Sequence, residues 1–376
     1  MLEAEELNAF VETARRFSER EVSPLLEGES RDGDLGAIPG ILKKAEAAGL
    51  MSSADPGSPG HAFGVWGRAC LVHGPAFSLA LLREISKSCG GVAACLHFAG
   101  LGALEAPPSE RSPGVAVALF EDGWRLTWKA LREPPAGAAR LRGMTNGVHS
   151  LTGAKSFVHA APQCNAFLVF AAGESGWQKV LASRDTHGLK VLGTGVRAGL
   201  AALEPVHLSF DNTLVDTSDF LPSPDPQAFV TRLFLGLAAI SVGNAVGALR
   251  SARSYAGQRY QGGDMIEKHP AVMGLIGDAT SRVYACADHL ETMAEKESRP
   301  EEALRQAAGA KLRITTECCQ VVTDCMQVLG GYGYMEDFRM EKRLRDALTL
   351  KAMCSRPDDL RMLCAQAESG GVAHDI

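Results

Sequence analysis

Gln327-Val-Leu-Gly-Gly-Tyr-Gly-Tyr334, with Arg343-Leu-Arg-Asp-Ala347 a short way beyond it, is the stretch on which the reading of this chain turns. An amphipathic run ends here in paired glycines, Gly330 and Gly331. They carry no Cβ and let the backbone approach another group closely. Gln327 adds a side chain that can both donate and accept a hydrogen bond. Taken alone, the string also reads as a Gly-rich C-cap between two helices. Its meaning therefore depends on what surrounds it.

Working outward, long helical patterns precede it: Phe229 to Arg259, Pro270 to Glu297 and Glu301 to Leu329, each long enough for a bundle helix. Before them, from Gly114 to about Leu221, the period changes to short apolar runs separated by turn residues. Val115 to Phe120, Ala166 to Ala171, Val180 to Ala182 and Val206 to Phe210 read as strands. The first hundred residues are helical again. Phe10, Ala14, Phe17 and Val22 recur at helical spacing, as do Ile38, Ile41, Leu42 and Ala45, and a further helix is predicted through Leu79, Leu82 and Ile85 to Leu96. The Gly/Pro/Ser stretch from Ala54 to Gly64 and the run Pro107-Pro-Ser-Glu-Arg-Ser-Pro113 punctuate the pattern. The predicted class is α+β, with an N-terminal α-helical domain at 1–106, a central β-domain at 107–222 and a C-terminal four-helix bundle at 223–376.

Composition narrows the function. With 376 residues, 46% of them hydrophobic, the chain can bury a sizeable core. A net charge of −6 with interspersed signs offers no basic stripe for phosphates, so nucleic acid is not an expected partner. The opening Met1-Leu-Glu-Ala-Glu-Glu lacks a basic n-region and an apolar h-region, and no uncharged apolar run long enough to span a membrane is present. A cytoplasmic protein is the expectation. The ten cysteines fall in apolar helical contexts such as Cys89, Cys95, Cys318, Cys319 and Cys325, which reads as reduced, buried thiols. Neither Cys286 with His289 nor Cys95 with His97 has a second pair at ligand spacing, so no metal is expected.

Several further motifs stand in a fixed order. They are Arg16 to Pro24 in the first helix, Gly153-Ala-Lys155-Ser-Phe157, Gly195-Val-Arg197, and Tyr255-x-x-x-Arg259 followed by Gly262-Gly263. Together with the Gly-Gly-Tyr-Gly and Arg-Asp-Ala stretches they resemble the acyl-CoA dehydrogenase family over nearly the whole chain. That resemblance implies the helical, β and four-helix-bundle order read above. It also implies FAD, an acyl-CoA substrate, and reoxidation by an electron-transferring flavoprotein. In such an enzyme a carboxylate removes the α-proton while a β-hydride passes to the flavin, so a base and donors to the thioester oxygen are needed at fixed places.

The departures from that family are as informative as the matches. Counting from Arg345-Asp346-Ala347, the slot of the family's catalytic Glu falls on Cys354, and the alternative Glu position, near Leu233, holds no carboxylate either. A thiol could act as a base only if a neighbouring cation such as Arg356 lowered its pKa, whereas an apolar pocket raises it. His97 and His159 are further titratable candidates. Toward the ADP end of FAD, the resemblance assigns Arg259, Gln327, Gly330 and Gly331, with His269 where the family often has Gln; these are contacts the family supplies from a neighbouring subunit. A guanidinium fork suits a pyrophosphate there. Toward the flavin ring the match is eroded. The family's T-E-P-x-A-G-S-D is read as Arg132 to Ala139, its W-x-T as Phe157-Val-His159, and its Y-E-G-T-S-Q as Met353 to Asp358. The segment between Leu104 and Val115 is shorter than the family's.

Two functions follow as expectations. One is an FAD-dependent oxidoreductase acting on the CH–CH bond of an acyl thioester, with a noncanonical or missing base and a homo-oligomeric assembly. The other is a non-catalytic subunit that completes the FAD site of a hetero-oligomeric acyl-CoA dehydrogenase. A flavin-free helical scaffold is a third reading, since an Arg near a helix C-terminus and a Gln in a bundle also have structural uses.

Overall fold

The computed structural model describes residues 4–26, 32–106, 114–144, 146–160, 164–222, 225–295 and 298–365. Helices open the chain: α1 (Ala4–Phe17), α2 (Ile38–Ala47), the short α3 (Gly60–Phe63) and α4 (Cys70–His73), then α5 (Ala76–Ser86) and α6 (Gly90–Glu105). The single helix predicted from Leu79 to Leu96 is thus two. Cys89 takes an extended backbone, and Gly90 and Gly91 favour no helix across the joint. Val22 lies in a π-helical turn, Ser18–Val22, that continues α1.

A mixed sheet follows. Its strands are β1 (Val115–Ala118), then, after the short helix α7 (Trp128–Arg132), β2 (Arg140–Gly143), β3 (Val148–Ala160), β4 (Ala166–Gly173), β5 (Gly176–Ser183), β6 (Leu189–Gly193), β7 (Glu204–Asp216) and β8 (Phe220–Leu221). They stand in the order β6-β7-β3-β2-β4-β5-β8, with β1 parallel to β4. Along β4 the side chains alternate between two cores. Phe167, Val169 and Ala171 pack inside the sheet's own cluster, while Leu168 and Phe170 join the helical core. Burial on both faces is why this strand reads as a continuous apolar run rather than an alternating one. β2, β3, β6 and β8 are not among the strands expected from the apolar runs; β2 and β6 are short and largely exposed, and so carry no apolar signal.

The bundle consists of α8 (Pro226–Gln258), α9 (Pro270–Glu295), α10 (Pro300–Leu329) and α11 (Met340–Ala352). The small β9 (Tyr260–Gln261) and β10 (Asp264–Met265) lie between α8 and α9, and α12 (Pro357–Ala365) closes the described chain. Asp225 starts α8 by accepting from the backbone N–H groups of Gln227 and Ala228, with Pro226 in the first turn where a missing N–H costs nothing. α10 ends at Gly330, whose φ of +57° is a conformation that a side chain would strain. By length and composition α8 resembles a membrane span, but 83% of its most apolar window is buried inside the protein. It is the central rod of the core. The predicted helices are otherwise present within a few residues, while Val180 to Ala182 and Val206 to Phe210 are only parts of the longer β5 and β7. The Pro-rich stretch 107–113 and Glu297 lie outside the described residues.

Candidate active site

The wall of the site begins where β1 ends. Lys155 on β3 is completely buried, and its Nζ donates to the Leu119 carbonyl at 2.8 Å and to the Glu121 carboxylate. Burial pulls this lysine down to about 8, against the pull of Glu121. The pair fixes the chain leaving β1 against β3. Gly153 two residues earlier has φ +126°, and a Cβ there would stand 2.9 Å from Ala139 Cα. The Gly-Ala-Lys motif is therefore a packing device as much as a signature. Just beyond it the β3–β7 ladder slips register between Lys155 and Val158. That bulge puts Phe157 at φ +51° and turns its ring out, 56% exposed, edge-on to His207 at 5.0 Å.

Between this wall and the α11–α12 loop opens a cavity of about 690 Å³, a volume typical of ligand sites. Phe120, Phe157 and His159 line it from the sheet, Arg197 and Leu200 from the β6–β7 connection, and Thr349, Cys354 and Ser355 from the bundle. Four polar atoms of lining residues are buried without a hydrogen-bond partner: Glu121 Oε2, Trp124 Nε1, His159 Nδ1 and Arg197 Nε. Buried polar groups are normally satisfied, so four orphaned atoms on residues around one cavity are consistent with a site for a polar ligand. His159 stacks on Phe98 at 4.4 Å, and burial pulls it down to about 4. Its imidazole is neutral and a weak base.

The Arg343-Leu-Arg-Asp-Ala347 stretch holds the opposite wall in place. Asp346 is 1% exposed; its carboxylate accepts from the Leu200 backbone N–H at 2.6 Å and from Lys342 Nζ at 2.8 Å. Leu200 itself is held at φ +51°. Arg343 donates to the Lys87 carbonyl at 2.8 Å, and Arg345 reaches Asp32 at 2.6 Å and the Ala198 carbonyl at 2.8 Å. Asp346 and Arg345 clamp the β6–β7 connection onto α11, and Arg343 ties α11 to the joint between α5 and α6.

Cys354 lies on the cavity floor in the left-handed region, φ +62°. Burial pushes its thiol up to about 12, with Lys311 pulling the other way. The thiolate is the reactive form of a cysteine, so Cys354 is not equipped as a base. Arg356, the cation that was to activate it, is exposed at the rim. Leu233 is fully buried on α8. His97 is also fully buried, accepts from Trp66 Nε1 at 2.8 Å, and is pulled down to about 3 by burial; it is not among the cavity's lining residues.

The remaining sequence candidates form a second group. Arg259, at the end of α8, lies 5.8 Å over the Tyr332 ring, in the turn that also holds Gly330 and Gly331, and Gln327 lies in the last turn of α10 before it. His269 is tied to the same end through Ile266, which donates to the Arg259 carbonyl. Arg259, Gln327, Gly330 and Gly331 are exposed, and none of this group lines the cavity. Arg132 belongs to neither group. It closes α7, pairs with Glu301 on α10 and lies 6.0 Å over Trp128. The residues between Glu121 and Arg132 carry it away from the flavin-side wall to which the sequence reading assigned it. Phe120 and Glu121, at the end of β1, occupy that wall instead.

Sequence reasoning missed Glu121 and Lys311. The second had a signal: Ala307, Ala308, Lys311, Ile314 and Thr315 share the buried face of α10, so a lysine stands at a core position of the helix.

Residues 231–353 match the family model described as acyl-CoA dehydrogenase, C-terminal domain. An acyl-CoA dehydrogenase of Bacillus subtilis is 24% identical over 372 residues, covering 95% of this chain and 96% of the relative. An acryloyl-CoA reductase (NADH) of Anaerotignum propionicum is 24% identical, covering 89% and 87%. The fold is that of a glutaryl-CoA dehydrogenase from Mycobacterium smegmatis in complex with FADH2, at a TM-score of 0.80, 16% identity and coverage of 99% and 98%. The bundle thus matches the C-terminal domain of the acyl-CoA dehydrogenase family over residues 231–353, and the chain aligns over nearly its whole length with an acyl-CoA dehydrogenase at 24% identity.

Proposed function

We propose that this chain is an FAD-dependent oxidoreductase acting on the CH–CH bond of an acyl-CoA thioester without a glutamate base. The observation that carries this is the set of four unpartnered polar atoms around one cavity. Trp124 Nε1 and Arg197 Nε can donate, Glu121 Oε2 can accept, and His159 Nδ1 can do either. An isoalloxazine ring, with carbonyls, ring nitrogens and one N–H on its edge, answers that set, and Phe157 and the neighbouring apolar side chains offer it faces. Bound there, the flavin supplies a two-electron acceptor or donor. Arg259, His269, Gln327, Gly330 and Gly331 would receive the ADP end. They lie outside the cavity of their own chain, which supports a site shared between two subunits. Tyr334, 79% exposed, and Tyr260, 63% exposed, leave an aromatic surface beside them that suits such a partner. An electron-transferring flavoprotein is the proposed redox partner.

The same division supports a second reading, in which the chain lends Arg259 and Gln327 to the FAD site of a different acyl-CoA dehydrogenase subunit. Anaerobic addition of butyryl-CoA and crotonyl-CoA separates the two. A self-sufficient enzyme shows its flavin bleached by the first, or a reduced flavin reoxidised by the second. A lending subunit shows neither change until it is coexpressed with its partner.

A further inference from the structure

Beneath the α11–α12 loop a lysine is sealed into the bundle. Lys311 on α10 is fully buried, and among the described residues it has no carboxylate partner. Its Nζ lies 2.9 Å from Ser355 Oγ and 5.6 Å over the Phe234 ring of α8. Phe234 directly follows Leu233, and Ser355 directly follows Cys354, so this one side chain lies between the two places where a carboxylate base was sought and not found. Ser355 lines the cavity floor.

We propose that Ser355 and Lys311 form the proton-transfer pair of this cavity, Ser355 Oγ meeting the α-hydrogen of an acyl thioester and Lys311 Nζ serving as the proton reservoir behind it. The proposal rests on the acyl thioester reading above. In the forward sense the Cα–H bond breaks, its proton passes to Ser355 Oγ as the serine's own proton passes to the Lys311 amine, and the electron pair stays on the substrate as a thioester enolate. The reverse returns a proton to Cα. The step consumes no oxidant or reductant.

The other groups of the cavity do not compete. Glu121 is engaged by Lys155, Asp359 by Arg125 and the Leu126 N–H, Asp122 is exposed at the mouth, His159 is too weak a base, and the Cys354 thiol stays protonated. The groups facing Lys311 are Phe234 from α8 and Cys354 and Ser355 from the loop. Burial pulls it down to about 8, with Cys354 acting in the opposite direction. Near neutrality the pair is therefore loaded mostly as an acid, ready to protonate the α-carbon during reduction of an α,β-unsaturated acyl thioester. Above about pH 8 it works as a base. Lys311 acts through Ser355 and is a positioning residue; Ser355 is the catalytic one.

The test is exchange of the α-hydrogens of butyryl-CoA for deuterium in D2O, followed by NMR on the flavin-loaded protein across pH. The wild type should exchange with a rate that rises through a midpoint near 8. Lys311→Met should lose about a hundredfold and the midpoint with it, in the range expected for general acid–base catalysis. Ser355→Ala, which leaves the bundle interior intact, should lose a similar factor, and Ser355→Thr should keep most of the rate. Exchange by Lys311→Met and Ser355→Ala at the wild-type rate overturns the proposal. So does an absence of wild-type exchange while butyryl-CoA still perturbs the flavin spectrum, an outcome that leaves the oxidoreductase reading standing. If butyryl-CoA perturbs nothing and nothing exchanges, both fall.

Discussion

Lys311 destabilises the fold that holds it. A lysine whose ordinary value is 10.5 and whose folded value is about 8 binds a proton more readily in the unfolded chain. Between those two values the unfolded state carries that proton and the folded state does not, so stability rises with pH through the window and the penalty is fully present below about 8. At about 1.4 kcal/mol per pH unit the penalty amounts to about 3 kcal/mol. Lys311→Met removes the charge and keeps most of the volume. Denaturant unfolding at a series of pH values should therefore find the variant more stable than the wild type near pH 7, with the gap closing toward pH 10. Equal stability at pH 7, or a gap that does not change with pH, would mean that Lys311 is not held in a dry site. Lys155, also pulled down to about 8, contributes to both proteins alike and cancels in the comparison. Retaining such a residue makes sense where the proton it exchanges is used.

The element that shapes the cavity is α11, docked through one carboxylate. Asp346→Ala leaves Lys342 buried with, among the described residues, only Cys89 Sγ, at 3.6 Å, and removes the acceptor of the Leu200 N–H. Breaking a buried pair from one side costs about 3–5 kcal/mol, and urea unfolding should register a loss of that order. Replacing both partners, Lys342→Met with Asp346→Leu, should recover much of it; a loss below about 1 kcal/mol in Asp346→Ala would remove the clamp from the account. The Arg-Asp-Ala motif was legible in the sequence because its residues are adjacent, but its job was not, since Leu200, Lys87 and Asp32 are distant in the chain. The same limit explains the misplacement of Arg132. A local string Glu-Pro-Pro-Ala-Gly looks like the family's flavin loop, whereas α7 carries it elsewhere and Glu121 holds the wall through Lys155. Long helices were readable to within a few residues because α10 has a strong apolar face and α8 is apolar nearly all round. Exposed strands such as β6 had none. His159, Phe157 and Cys354 were found by position, and the structure gathers them at one cavity. Ser355 entered only as part of the loop match, and Lys311 went unnoticed because a helical lysine reads as a solvent-facing residue until its neighbours are known.

At the scale of the molecule, two groups of residues are set apart. One surrounds a cavity between the sheet and the α11–α12 loop. The other, Arg259 with Gln327, Gly330 and Gly331, is exposed at the end of the bundle beside Tyr260 and Tyr334. A single chain does not bring the two groups to one cavity, so FAD retention should track association. Dilution that separates subunits, or Arg259→Ala, should release flavin. The most direct measurement is the visible spectrum of the protein expressed alone, with FAD quantified per chain after denaturation. A flavin that fills the cavity predicts a yellow protein with close to one FAD per chain. A folded but colourless protein that takes up no added FAD would contradict the account and leave a subunit that completes another chain's site.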